Sequence, residues 1–107
     1  MSDTNKPKLL NDAELAAALE ATIAPRVTKE SIEANIVKSE FTKIGDTITH
    51  CRIILNNGFS VTGESACVNV ENHKQDIGER IAYDTAFQKL WGYYGFLLAQ
   101  KQYLTQG

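Results

Sequence analysis

The feature that most constrains the fold of this chain is a β-hairpin signature at its centre. Residues 47–55 are rich in β-branched side chains, and residues 59–66 return with alternating apolar and polar positions. The intervening Asn-Asn-Gly at residues 56–58 accepts the positive φ angles of a tight hairpin turn at little cost. A further short strand is expected at residues 41–44, which would complete an antiparallel meander with one solvated face.

A helical pattern precedes the hairpin at residues 11–26. Asn11 and Glu14 have the spacing of a capping box, in which two side chains satisfy backbone N–H groups of the first turn. The apolar side chains fall every four residues in one narrow stripe, made of Leu15, Leu19 and Ile23. Because so thin a stripe cannot form a core, this helix is expected to pack onto the domain or onto a second subunit.

Two more helices are expected. Thr28 is a suitable N-cap for a short helix ending near Ser39, and residues 76–104 carry a long helical pattern of apolar side chains. Gly92 and Gly95 each cost about 1 kcal/mol in a helix interior, which predicts a kink or a short break there. The predicted fold is therefore α+β: a two- to three-stranded antiparallel meander packed by a long C-terminal helix, plus one or two N-terminal helices.

The chain is predicted to form one domain with an N-terminal extension. Its 107 residues and 43% hydrophobic content suit a single globular core. Residues 1–10 are polar and predict a flexible arm. Residues 11–26 form the extra helix, and residues 27–104 form the single α+β domain.

Composition disfavours several classes of function. The formal net charge is −2, so the chain lacks the basic surface that binding to a phosphate backbone requires, and duplex DNA is not an expected partner. No segment approaches the roughly 20 apolar residues that span a bilayer, and residues 1–10 lack the apolar stretch of a signal peptide. No membrane partner is expected, and the cytoplasm is the expected location.

The second strand of the hairpin contains the first candidate for ligand binding: Thr62, Gly63, Glu64 and Ser65. A glycine within a strand permits close approach by a ligand or another chain. The neighbouring hydroxyl and carboxylate groups can read a ribose hydroxyl or a base edge. The alternative is a bulge that bends the sheet and leaves a solvated glutamate.

The C-terminal helix contains the second group of candidate ligand-binding residues: Arg80, Tyr83, Lys89 and Trp91. A guanidinium group suits a phosphate, and aromatic rings suit the face of a base. Asp84 and Phe87 fall on the same side of this helix. The alternative is an ordinary amphipathic helix whose arginine extends from a partly buried aromatic edge.

Small residues recur every four positions along the neighbouring side of that helix, at Gly78, Ala82 and Ala86. They permit either intramolecular packing of helix on sheet or a close subunit interface. Together with Tyr94 and the stripe of the first helix, they form the predicted oligomer interface. The aromatic content of the last helix exceeds what a small meander can cover, so a homo-oligomer is expected.

No metal, cofactor or catalytic residue is predicted. His50, Cys51, Cys67 and His73 are the residue types that bind zinc, but the first two are adjacent in a strand and point to opposite faces. The cysteines are expected to be reduced and to behave as small apolar residues. No nucleophile has a base and a third orienting group assigned to it, so the chain is predicted not to be an enzyme.

A run of positions from the hairpin to the last helix forms one recognisable pattern. Its positions are Asn57-Gly58-Phe59, Thr62-Gly63-Glu64-Ser65-Ala66, Gly78, Ile81-Ala82, Ala86, Leu90-Trp91 and Tyr94 to Leu98. The segment resembles a family of small proteins from tailed phages and prophages, named after gene product forty-nine of the phage called N-four. The resemblance covers about residues 27–102 and implies a phage or prophage origin and action in the host cytoplasm. It implies no enzyme activity, cofactor or catalytic residue.

Three functions follow as expectations. The first is sequestration, by an oligomer, of a nucleotide-derived defence signal of the host, of the cyclic nucleotide or ADP-ribose type; it rests on analogy with small, non-enzymatic phage proteins that bind such signals. The second is inhibition of a host enzyme or defence complex through an edge strand or the aromatic helix. The third is an accessory role in phage replication.

Overall fold

The computed structural model describes residues 8–21 and 24–106. Within them, the chain forms a three-stranded antiparallel sheet, a long C-terminal helix and two shorter N-terminal helices, which confirms the α+β prediction. Residues 1–7 of the predicted arm, and Ile23, lie outside the described residues. In chain order the elements are α1 (Asp12–Glu20), α2 (Lys29–Glu33), β1 (Ile36–Ile44), β2 (Ile48–Leu55), β3 (Ser60–Ala66), a 3-10 turn (Val70–Asn72) and α3 (Gln75–Thr105).

The sheet has the strand order β1-β2-β3, so the clearest predicted strand lies at its centre. The hairpin between β2 and β3 turns at Gly58, whose φ of 88° lies in the region that favours glycine. Side chains of β2 alternate between the two faces of the sheet, as the sequence pattern predicts. The face toward α3 is buried and consists of Thr49, Cys51, Ile53 and Leu55.

Helix α3 packs across β2 and β3 on one face of the sheet. The side of the helix that meets the sheet is buried and consists of Gly78, Ala82, Ala86 and Leu90. Gly63 of β3 lies directly under the helix, where an added Cβ would come within 2.6 Å of the carbonyl oxygen of Ala82 and closer still to the backbone nitrogen of Ala86. The small residues of both elements therefore allow helix and strand to pack backbone to backbone.

The boundary between α2 and β1 differs from the prediction. The helix ends at Glu33 rather than near Ser39, and β1 begins at Ile36 rather than at residue 41. Asn35 fixes this boundary, because its backbone carbonyl accepts a hydrogen bond from the N–H of Asn56 at 2.9 Å, and the two side-chain amides meet at 3.0 Å. Pairing of residues 36–44 along the whole of β2 thus outweighs their helical pattern. The pairing contains one irregularity, between Ile36 and Lys38.

Helix α3 is unbroken through the two glycines near its middle, contrary to the predicted break. A Cβ added at Gly92 or Gly95 would meet no atom within 4 Å, so neither glycine is required by a close contact. Helical hydrogen bonding is cooperative, and packing of the turns that contain Leu90 and Tyr94 outweighs a cost of about 1 kcal/mol per glycine.

Helix α1 is capped as predicted but packs little. The side chain of Asn11 accepts a hydrogen bond from the N–H of Glu14 at 2.8 Å, and the carboxylate of Glu14 accepts one from the N–H of Asn11 at 2.9 Å. No residue of α1 is buried, and Leu15 is 47% exposed. Leu19 is 38% exposed, so neither described leucine of the stripe is fully covered.

Candidate functional site

The two faces of the sheet divide the predicted ligand residues of β3. Thr62 and Glu64 are exposed on the face away from α3, whereas Gly63 and Ser65 point toward the helix. The hydroxyl of Ser65 donates a hydrogen bond to the carbonyl oxygen of Gly78 at 2.8 Å. Gly63 and Ser65 are therefore occupied by intramolecular packing, and the four consecutive residues do not form one surface.

The predicted subunit interface on α3 also needs correction. Gly78, Ala82 and Ala86 are buried against the sheet of the same chain, so they are not available to a second subunit without separation of helix and strand. Tyr94 is half-buried at the margin of the core. Leu15 is exposed, as a subunit contact requires. In the described chain, however, the predicted interface residues of α1 and α3 do not form one continuous exposed surface.

Lys89 lies on the side of α3 nearest the outer edge of β3. Its ammonium group donates a hydrogen bond to the backbone carbonyl oxygen of Thr62. This lysine therefore satisfies one of the outward-facing carbonyl oxygens of an edge strand. Its position separates it from Tyr83 and Trp91, which lie on the other flank of the helix.

An aromatic recess lies between α2 and α3. It has a volume of about 270 Å³ and is lined by Lys29, Tyr83, Asp84, Phe87, Gln88 and Trp91. The ring centres of Tyr83 and Phe87 are 5.8 Å apart, and those of Phe87 and Trp91 are 6.1 Å apart. The i, i+4 spacing of the three aromatic residues places their rings along one side of the helix, and Phe87, the middle one, is buried.

Polar groups surround this aromatic recess. Arg80 donates a hydrogen bond to the carboxylate of Asp84 at 2.9 Å, and this contact raises the pKa of the guanidinium group. Burial raises the pKa of the Tyr83 hydroxyl, and the nearby charge of Glu33 adds to the effect. Tyr83 therefore has a neutral hydroxyl that can donate a hydrogen bond, in a recess that Lys29 also lines.

A second polar surface covers the open face of the sheet. Arg52 donates hydrogen bonds to the carboxylate of Glu40 at 3.2 Å and to the hydroxyl of Ser60 at 3.3 Å. The hydrogen bond from Arg52, followed by that from Lys38, lowers the pKa of Glu40. These contacts pair the charges with one another on a flat, solvated surface.

The cysteines and histidines do not line the aromatic recess. Cys51 is buried, and its burial raises the pKa of its thiol. The Cys67 sulfur lies 3.7 Å from Nδ1 of His73, whose Nε2 lies 3.1 Å from the amide oxygen of Gln75. Within residues 8–21 and 24–106, no group of three or more histidine, cysteine or acidic residues could hold a metal ion.

The C-terminal part of α3 carries exposed apolar side chains. Tyr93, at its start, packs on Phe59 beside the β2–β3 turn, with ring centres 5.4 Å apart, and the later turns extend past the sheet. We refer to these residues as the apolar overhang: Tyr93, Phe96, Leu97, Tyr103 and Leu104. A helix of 31 residues is about 46 Å long, whereas an eight-residue strand such as β2 spans about 27 Å. The sheet is thus too short to cover the helix, and Phe96 and Leu104 are each more than 60% exposed.

A sequence comparison relates most of the chain to a phage family. The profile of the phage protein (N4 Gp49/phage Sf6 gene 66) family matches residues 27–102. The chain therefore belongs to this family. The match confirms the predicted resemblance, and helix α1 precedes it. No curated protein and no solved structure matches the chain at a significant level.

The structure of this family protein brings together only part of the predicted ligand set. Tyr83 and Trp91 line the aromatic recess, and Arg80 reaches it through Asp84. Sequence reasoning missed Lys29 and Gln88. The four-residue spacing of the aromatic residues is a signal for the helical side of the recess. Lys29 belongs to α2 and reaches the recess through tertiary packing that no local pattern reveals.

None of the helices in residues 8–21 and 24–106 combines the length and the apolar character that a membrane span requires.

Proposed function

We propose that this phage-family protein acts by binding rather than by catalysis, inside the infected or lysogenic host. The proposed role is to counter host defence by sequestering a nucleotide-derived signal, of the cyclic nucleotide or ADP-ribose type, as an oligomer. The proposal rests on the aromatic recess and on the phage family to which the chain belongs.

The observation that supports this proposal is the combination of ring faces and polar groups in the recess. Trp91 and Tyr83 offer stacking surfaces for a base. Lys29 supplies a positive charge for a phosphate, and Gln88 supplies both a donor and an acceptor for a base edge. This mixture of aromatic and convergent polar groups is typical of small-ligand sites.

The size of the recess favours a site completed by a second chain. Ligand pockets have volumes of about 300–1,000 Å³ and bury most of the ligand. The recess has about 270 Å³ and is open to solvent, so one chain would leave much of a dinucleotide exposed. An oligomer that places another surface over this recess would supply the missing wall.

Trp91, as the single tryptophan of the chain, allows a direct test. The protein would be titrated with cyclic dinucleotides and with cyclic ADP-ribose while tryptophan fluorescence and thermal melting are followed. Binding should change the fluorescence and raise the melting temperature, because a ligand that binds only the folded state stabilises it. The ligand should be recovered with unchanged mass after denaturation. Turnover of the compound, or no response to any of these compounds, would refute the proposal.

Two arginines provide a matched pair of variants. Arg80 and Arg52 both form exposed ion pairs, but only Arg80 lies beside the recess. Arg80→Ala should weaken ligand binding by about tenfold or more, as expected for the loss of a charge-assisted contact. Arg52→Ala should bind like the wild type. Equal affinities of the two variants would show that the site lies elsewhere.

The apolar overhang favours a second candidate function, inhibition of a host protein. An exposed stripe of large apolar residues on a helix can lie in a groove of a partner. Replacing Phe96 and Leu97 by serine should then release a host protein that copurifies with the wild type. Val68→Ser changes an exposed apolar residue outside the overhang and should leave that complex intact. A complex that survives the double replacement would exclude this role for the overhang.

A further inference from the structure

Among the described residues, strand β1 has no backbone hydrogen-bond partner along one of its edges. The bonds from Leu55 N to Phe59 O and from Cys67 N to Thr47 O assign the odd-numbered residues of β2 to β3. The even-numbered residues of β2 therefore bond to β1, through partners such as Glu40. The N–H and C=O groups of the odd-numbered residues of β1 consequently point away from the sheet; these residues are Ser39, Phe41 and Lys43.

The opposite edge of the sheet is not equivalent. At β3, Lys89 binds the outward carbonyl of Thr62, and α3 packs over the strand. Helix α3 does not extend over β1 in the same way, and no loop within residues 8–21 and 24–106 donates a backbone hydrogen bond to its outer edge. Unpaired edges of this kind template the addition of another strand.

The sequence of β1 is complementary to itself in one antiparallel register. When a two-fold axis passes through Ser39, each Lys38, whose ammonium group lies 3.4 Å from Glu40 of its own chain, also lies opposite Glu40 of the second copy. The two lysines and two glutamates then form one ion-pair network across the axis. The same register places Val37 opposite Phe41, a β-branched and aromatic pair that is exposed in the single chain. We propose that β1 is a dimer interface at which two copies of this chain join their sheets into one six-stranded sheet, with Ser39 at the two-fold axis.

Other registers lack this complementarity. An axis through Glu40 or through Lys38 would place two like charges directly opposite each other, which is destabilising. An axis through Phe41 would leave Lys38 opposite Ile44 and Glu40 opposite Thr42, with no ion pair between the copies. The irregularity beside Lys38 lies at the start of β1, and the strand is regular from Lys38 to Ile44.

The charged pair permits a test by reciprocal charge reversal. Sedimentation velocity would be measured without any ligand for the wild type, for Lys38→Glu, for Glu40→Lys and for an equimolar mixture of the two variants. The wild type should sediment as a dimer, and each variant should sediment as a monomer, because like charges meet across the axis. The mixture should recover the dimer, since one copy then presents two acidic side chains opposite two basic ones.

A matched control separates register from net charge. Lys43→Glu makes the same change of charge on the same strand but faces no charged residue in the proposed register, so it should remain dimeric. A monomeric wild type would overturn the proposal. A dimer that survives both Lys38→Glu and Glu40→Lys would also overturn it and would direct attention to the apolar overhang. Because no ligand is present, these results are independent of the outcome of the ligand titrations.

Discussion

At the scale of single residues, Gly63 sets the distance between helix and sheet. Gly63→Ala should lower the free energy of unfolding by about 2–3 kcal/mol, because the new Cβ would be forced against the backbone of α3, which cannot rotate away as a side chain can. The measurement is a urea unfolding curve for wild type and variant. A decrease of this size would identify Gly63 as a packing residue rather than a ligand contact.

Gly92 provides the control for this substitution. It lies within α3, where an added Cβ would meet nothing within 4 Å. Gly92→Ala should therefore raise the free energy of unfolding by about 0.5–1 kcal/mol, since alanine loses less backbone entropy in a helix. Similar destabilisation by both substitutions would contradict the assignment of a special role to Gly63.

The hydroxyl of Thr49 is buried without a hydrogen-bond partner in the described part of the chain. An unsatisfied buried hydroxyl costs about 1–3 kcal/mol, so Thr49→Val should increase the free energy of unfolding by about 1 kcal/mol. Thr42→Val, on the exposed strand β1, should change it by less than about 0.5 kcal/mol. Destabilisation by Thr49→Val in urea unfolding would mean that this hydroxyl has a partner, such as bound water.

At the scale of elements, short-range signals predicted the hairpin and the caps, and tertiary pairing decided the rest. The turn at Gly58 and the capping box at Asn11 depend on neighbouring residues, so the sequence alone was sufficient. The residues before the segment from Ile36 to Phe41 have a helical pattern, and the residues after it have the pattern of a strand. Its conformation is decided by β2, to which it pairs, and a local pattern contains no information about that partner.

The two halves of α3 should differ in local stability. The turns around Ala86 are packed on the sheet, whereas all residues from 99 to 106 are exposed. By hydrogen exchange and mass spectrometry, peptides from residues 99–105 should exchange at least about 100-fold faster than those from residues 80–90. Slow exchange at both ends, at protein concentrations where the chain is monomeric, would show that the overhang is covered by its own chain.

At the scale of the whole molecule, the sequence predicted the layers but not the site. A period of two predicted a strand with alternating faces, and the helical period predicted an apolar side of the last helix, so a sheet covered by a helix followed. The candidate site depends on how those elements are placed. Lys29 lines the recess because α2 lies beside α3. Thr62 does not line it, because the pleat of β3 directs its side chain to the other face of the sheet, and Lys89 does not, because it lies on the opposite flank of the helix.

The single core also predicts how much of the chain is needed to fold. All buried residues from Ile32 to Leu90 lie within the family match, and none lies in α1. Deleting residues 1–26 should therefore change the free energy of unfolding by less than about 1 kcal/mol, because helix α1 contains no buried residue. Urea unfolding of the shortened and complete chains provides the comparison, measured with Lys38→Glu in both to keep them monomeric. A large loss of stability would mean that the stripe at Leu15 packs on the domain in solution.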